Sequence, residues 1–303
     1  MTRLAIIALV VASAAMTSAP AHAQKKKPSA GPLSLPAVGE TLAPNGAASW
    51  PQKLDWLYDV PSFKDATGKI VLHWFCSPKV DACAEDLERI VKLKENNARV
   101  YVVAYIAGAK GEAKALDPIR ETEGVGRGTV AYGKNTTALL SRLGTTGPAS
   151  VVVGIDGKVA HVTRGGAQSD ADARDAKVAA LANAIRDFTV TSDGPTIVKP
   201  GDKFRLAMTV KLASWLKYNR SRPADFQLTA PADIKCDNTA LRGGQLTITD
   251  QTMVAQVTCS GTKGVYELRG AINFSYDNPV GGGTGLGSEG AVWKFEIKPM
   301  GIQ

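Results

Sequence analysis

The chain has 303 residues, of which 44% are hydrophobic, 21% charged and 6% aromatic, with 30 glycines and 16 prolines. That length suits two globular domains, and the composition excludes a multi-span membrane protein, a collagen-like or coiled-coil chain and a wholly disordered one. Four cysteines, three histidines and a net charge of +8 scattered along the sequence leave too few ligands in any stretch for a zinc site and no basic stripe for nucleic acid, so no metal, no cofactor and no nucleic-acid partner is expected.

Arg3, the apolar run Leu4 to Met16 and the small-x-small triplet Ala21-His22-Ala23 give residues 1–23 the pattern of a secretory signal peptide. The run is shorter than the roughly 20 residues of a spanning helix, and no cysteine follows Ala23 to carry a lipid. A periplasmic or secreted protein with no membrane insertion after cleavage is therefore expected. Residues 24–36, with Lys25-Lys26-Lys27 and a Pro/Ala/Gly/Ser-rich sequence, read as a disordered linker. In an oxidising compartment four cysteines suggest two disulfides, structural or redox-active.

Ile70 to Phe75 is a continuous apolar run of strand length, as expected in a sheet covered on both faces. Asp81 can cap a following helix, whose apolar stripe is Leu87, Ile90 and Val91. Arg99 to Ile106 is a second buried strand, so the order strand, helix, strand implies a right-handed crossover and a parallel pair. Between Gly108 and Gly133 the sequence reads as a mobile insertion, with a lid as the alternative, and Thr136 to Leu143 as a short helix. Beyond Gly147-Pro148 come strands Ser150 to Ile155 and Lys158 to Thr163, joined by the tight-hairpin pair Asp156-Gly157. Val178, Leu181, Ile185 and Phe188 stripe a closing helix that starts near Asp170.

This β-α-β then β-β-α order is similar to the thioredoxin-like fold. Gly68-Lys69-Ile70-Val71-Leu72-His73-Trp74-Phe75-Cys76 and Leu143-Gly144-Thr145-Thr146-Gly147-Pro148 through Asp156-Gly157-Lys158 resemble two motifs of the extracytoplasmic branch that includes TlpA and ResA. The resemblance covers residues 37–190. It implies a thiol-disulfide oxidoreductase acting on protein thiols or disulfides, with Pro148 as a cis-proline beside the cysteines. Trp74, Gly147 and Pro148 would bind substrate, Gly147 leaving the groove more open than the larger residue usual there. The chain departs from the family's Cys-x-x-Cys, because six residues separate Cys76 from Cys83. Cys83 to Ile90 also resembles a stretch of the Sco copper-insertion proteins, but Val80 stands where their first cysteine would fall.

From Thr191 the sequence becomes β-rich. Phe204 to Leu212, Ser214 to Tyr218, Asp225 to Thr229, Gln245 to Thr249, Met253 to Cys259, Val265 to Tyr276 and Ala291 to Ile297 read as strands, which suggests an immunoglobulin-like sandwich over 191–303. Lys199-Pro200-Gly201-Asp202, Ser214 to Asn219 and Phe226 to Pro231 resemble the N-terminal domain of DsbD, the periplasmic disulfide-interchange reductase. That resemblance makes a membrane disulfide reductase an expected partner. Where that family carries a cysteine pair, this chain has Asp277-Asn278-Pro279 and a glycine-rich stretch.

Cys76 and Cys83 are the candidate catalytic pair. A strand end and a helix start joined by a short loop should bring them within bonding range, and a cysteine in a first helical turn faces unpaired N–H groups that favour its thiolate. A purely structural bridge fits the same spacing, and a non-catalytic binding module remains the alternative function. Cys236 and Cys259 flank a short strand and read as a structural disulfide, with a second redox couple as the alternative. His73 reads as a packed core histidine. Gly285 to Gly290 has the spacing of a phosphate-binding loop but leads into an alternating strand, so it reads as a flexible loop.

Overall fold

A computed structural model describes residues 31–119, 128–145, 147–279 and 283–299. Residues 1–23, expected as a signal peptide, and residues 24–30 of the expected linker lie outside them, as do residues 120–127 of the expected insertion. The remainder of the linker is ordered rather than disordered: Leu35 is buried, and the Leu33 N–H donates to the Arg142 carbonyl at 2.9 Å. Its two leucines have an apolar surface to join.

The first half comprises β1 (Asp55–Trp56), α1 (Phe63–Ala66), β2 (Ile70–Cys76), α2 (Asp81–Glu95), β3 (Val100–Ile106), α3 (Lys110–Lys114), β4 (Gly128–Tyr132), α4 (Gly133–Arg142), β5 (Ala149–Val153), β6 (Val159–Arg164) and α5 (Gln168–Ala184). Its sheet has the order β1-β4-β3-β2-β5-β6. Strands β2, β3 and β4 are parallel, and β5 and β6 run antiparallel to them. This is the thioredoxin-like arrangement of a βαβ unit joined to a ββα unit. The expected insertion thus supplies a sheet strand, β4, whose run Gly128-Thr129-Val130-Ala131-Tyr132 starts at the end of the glycine-rich stretch Gly124 to Gly128 and has only three successive apolar residues to mark it.

Both faces of the central strands are covered, which is why β2 and β3 are buried along their whole length. Val71 and Phe75 point to one core with Leu139, Leu140 and Trp50, whereas Ile70, Leu72, Trp74 and Cys76 point to the other with Cys83, Ile90 and Val178. The period of two in β2 therefore puts Cys76 on the face covered by α2 and α5.

The second half comprises β7 (Phe188–Asp193), β8 (Ile197–Val198), β9 (Phe204–Leu212), β10 (Lys217–Tyr218), β11 (Asp225–Thr229), β12 (Ile234–Cys236), β13 (Ala240–Arg242), β14 (Thr247–Ile248), β15 (Thr252–Gly261), β16 (Gly264–Asp277) and β17 (Thr284–Ile297). One sheet runs β13-β11-β16-β17-β8 with β10 on β16, and the other β12-β15-β9-β7 with β14 on β15. Residues from both sheets share one core: Phe204 meets Phe295 at 4.8 Å and Phe188 meets Phe274 at 5.0 Å between ring centroids.

Three local readings are corrected. Phe188 does not extend the closing helix: α5 ends at Ala184, and Phe188 opens β7 because its ring belongs to the second core. Asp81 is the first residue of α2, not its cap; Val80 occupies the cap position with no side-chain hydrogen bond. Gly285 to Gly290 is not a loop but part of β17, where Gly285 and Gly287 pair with Tyr276 and Phe274 across the ladder. Those aromatic rings occupy the space a side chain would need on each glycine.

Candidate functional site

Cys76 ends β2 and Cys83 lies in the first turn of α2, and a disulfide joins them with the Cα atoms 5.9 Å apart. The intervening loop turns tightly: Val80 N–H donates to Ser77 O at 3.0 Å and Cys83 N–H to Val80 O at 2.9 Å. Cys76 is 1% and Cys83 5% exposed, so Cys83 is the more accessible of two enclosed sulfurs. Pro78 and Lys79 of the loop and Asp81 at the start of α2 are exposed.

Gly147 is half-buried and faces Val80, whose Cγ1 lies 4.0 Å from the position a Cβ would take on the glycine. Two expectations fail here. Gly147-Pro148 is not cis, since no cis peptide occurs among the described residues. The trans form is intrinsically favoured by roughly 0.5–1 kcal/mol, and the Gly147 carbonyl is turned back to accept from Thr145 Oγ1 at 3.1 Å. Pro148 is also buried: the exposed Gly166 covers it, so that a Cβ on Gly166 would sit 3.4 Å from Pro148 Cδ and 2.9 Å from Ala82 Cβ. Gly147 and Gly166 thus pack against small side chains of the loop and first turn that carry the disulfide, Val80 and Ala82.

Trp74 likewise does not reach that surface. It is 1% exposed, and its indole N–H donates to Asp86 Oδ2 at 2.7 Å. Asp86 also accepts from Arg174 Nη1 of α5, at 2.8 Å to Oδ1 and 2.9 Å to Oδ2, with both side chains buried. A buried carboxylate paired with a guanidinium and an indole donor meets the requirement that interior charge be compensated. The sequence reading does not foresee this ion pair, yet both of its residues stand in helical register with the core. Asp86 interrupts the buried stripe Cys83, Asp86, Ile90, Lys94 of α2, and Arg174 lies four residues before the buried Val178 of α5.

Cys236 and Cys259 form the second disulfide as directly opposed residues of β12 and β15, with Cα atoms 4.0 Å apart. His73 is fully buried, with Nδ1 3.1 Å from the Tyr105 hydroxyl. Among the described residues no cluster of His, Cys, Asp and Glu could hold a metal ion, and no helix is long and apolar enough to cross a membrane.

No protein-family model matches the chain, and no curated protein matches it. Solved structures similar to it include a secreted Mycobacterium tuberculosis disulfide oxidoreductase homologous to E. coli DsbE, at 18% identity over 46% of this chain and 94% of that one, TM-score 0.32. Another is the thioredoxin domain of a thiol-disulfide oxidoreductase from Bacteroides vulgatus, at 15% identity over 48% of this chain and 99% of that one, TM-score 0.34.

Proposed function

We propose that the protein is an exported thiol-disulfide oxidoreductase of thioredoxin-like type that acts on protein thiols or disulfides through Cys76 and Cys83. The observation that carries this reading is the disulfide between the end of β2 and the first turn of α2. A substrate thiolate attacks one sulfur, the Cys76–Cys83 bond breaks, and the other cysteine leaves as thiolate, giving a mixed disulfide. A second substrate thiolate attacks that bond, so the substrate leaves oxidised and the enzyme keeps two thiols. In reverse, the Cys83 thiolate attacks a substrate disulfide and Cys76 resolves the intermediate. Cys83 suits the attacking role by its place in the first turn of α2 and its greater exposure. Residues 1–23 support export, the strand pattern after Thr191 supports an immunoglobulin-like sandwich resembling the N-terminal domain of DsbD, and that resemblance supports a membrane disulfide reductase as partner.

The burial of both sulfurs favours a second reading, a non-catalytic binding module in which the bridge is structural. Equilibration of the full protein with thiol redox buffers separates the two, because structural bridges lie below about −300 mV and exchange-active ones above. The enzyme reading expects a potential above that value and loss of exchange with a peptide disulfide in Cys83→Ser. A lower potential with no exchange overturns it.

A further inference from the structure

The second half carries a cavity separate from both disulfides. It measures about 350 Å³ and lies beside β10, the start of β11 and the turn Gly243–Gln245, within the roughly 300–1,000 Å³ typical of small-ligand sites. Part of its lining is apolar, with Ala224 and Leu246 buried and Ile248 half-buried. Gly243 and Gly244 leave another part bare, and a Cβ on either would meet nothing within 4 Å. The exposed members of the lining include two arginines, Arg220 and Arg222.

The charges around it are unequally committed. Arg220 lies 3.5 Å from Asp250, which Lys217 also approaches at 3.2 Å. The neighbouring carboxylates are held by amide donors: Asn273 Nδ2 donates to Asp225 at 3.1 Å and Asn219 Nδ2 to Asp277 at 3.0 Å. Among the described residues Arg222 has no ion-pair partner. Buried Ser275 contributes a hydroxyl whose one contact, to the Arg222 carbonyl, is 3.5 Å, at the limit of hydrogen bonding.

We propose that this cavity binds a small-molecule carboxylate with an apolar body, its head on Arg222 and its tail against Leu246 and Ile248. A guanidinium pairs with a carboxylate through charge-assisted hydrogen bonds, whereas the two arginines repel a cationic ligand of the same length. The apolar lining selects against small hydrophilic anions, because burying the tail supplies the remaining affinity.

Octanoate, octylammonium and 1-octanol titrated calorimetrically into the full protein test this. Octanoate should bind saturably at one site, with octylammonium and 1-octanol weaker by about tenfold or more, the scale of a hydrogen bond between charged groups. Arg222→Ala should weaken octanoate by a similar factor. Gly244→Leu, which places a side chain into open space at an exposed position of ordinary backbone conformation, should abolish binding with the melting temperature unchanged. Equal binding of octylammonium, unaltered octanoate affinity in Gly244→Leu, or no saturable binding overturns the proposal.

Discussion

His73 shows how one buried side chain ties stability to pH. It lies mid-strand in β2 with no exposure, and burial pushes its pKa down from 6.5 to about 3. Between those values the unfolded chain binds a proton that the folded one refuses. Stability therefore rises with pH through this window and is lost as pH falls from about 6.5 towards 3, by up to about 1.4 kcal/mol per unit. Urea unfolding of the wild type at pH 7.5, 6 and 5 should show that decline, and His73→Phe should flatten it. Identical slopes for the two proteins would exclude His73 as the source. At the same scale, the substrate role of Trp74 came from the family resemblance, whereas the apolar run itself points to a strand covered on both faces, where the indole is buried and its donor is used by Asp86.

Strand β2 and helix α2 are linked twice. Trp74 and Cys76 share one face of β2, and Cys83 and Asp86 lie about one turn apart on α2, so the Trp74–Asp86 hydrogen bond parallels the disulfide one step deeper. Arg174 anchors the same carboxylate from α5. Because this bond is independent of the disulfide, it should continue to hold the two thiols near each other after reduction. Trp74→Phe keeps a ring and removes the donor, which lowers the thiols' effective concentration and makes the disulfide easier to reduce. The potential should rise by about 30 mV for each tenfold fall in effective concentration. An unchanged potential in a variant that is merely less stable would show that the link serves packing alone. The elements themselves were legible where an apolar run or a clean alternation was bounded by turn residues: β9 and β11 match their expected bounds, and β2, β3 and the Asp156-Gly157 hairpin are found in place. Short edge strands such as β8, β12 and β13 have two or three residues and no period to read. The trans Gly147-Pro148 bond was illegible for a different reason, because the motif match carried its isomer and local contacts decide it.

The junction between the two halves decides what their disulfides can do together. Gly68, at φ +70°, lies so close to Trp215 that a Cβ there would be 2.8 Å from the indole nitrogen. Asp187 pairs with Arg99 and accepts from the Tyr276 hydroxyl at 2.9 Å; burial, with the Asp187 hydrogen bond adding to it, pushes Tyr276 up to about 12. Gly68 lies two residues before β2 and Arg99 immediately before β3, whereas Cys76 closes β2 at its other end, roughly 20 Å away for seven residues of strand. In the second half Phe188 pairs with Leu212 at the junction end of β9, and Cys259 pairs with Phe204 at its far end, roughly 27 Å along the strand. The junction thus separates the two disulfides, and direct exchange within one chain would require the halves to come apart. Cys236→Ala with Cys259→Ala should leave the potential and exchange rate of Cys76–Cys83 unchanged within about twofold. The same double variant should lose about 3 kcal/mol of stability, as expected for a bridge spanning 23 residues. Paired redox titration and denaturant unfolding of the full protein measure both effects. A tenfold fall in exchange rate, with folding intact, would make the second disulfide a relay and reject the separation argued from the strands.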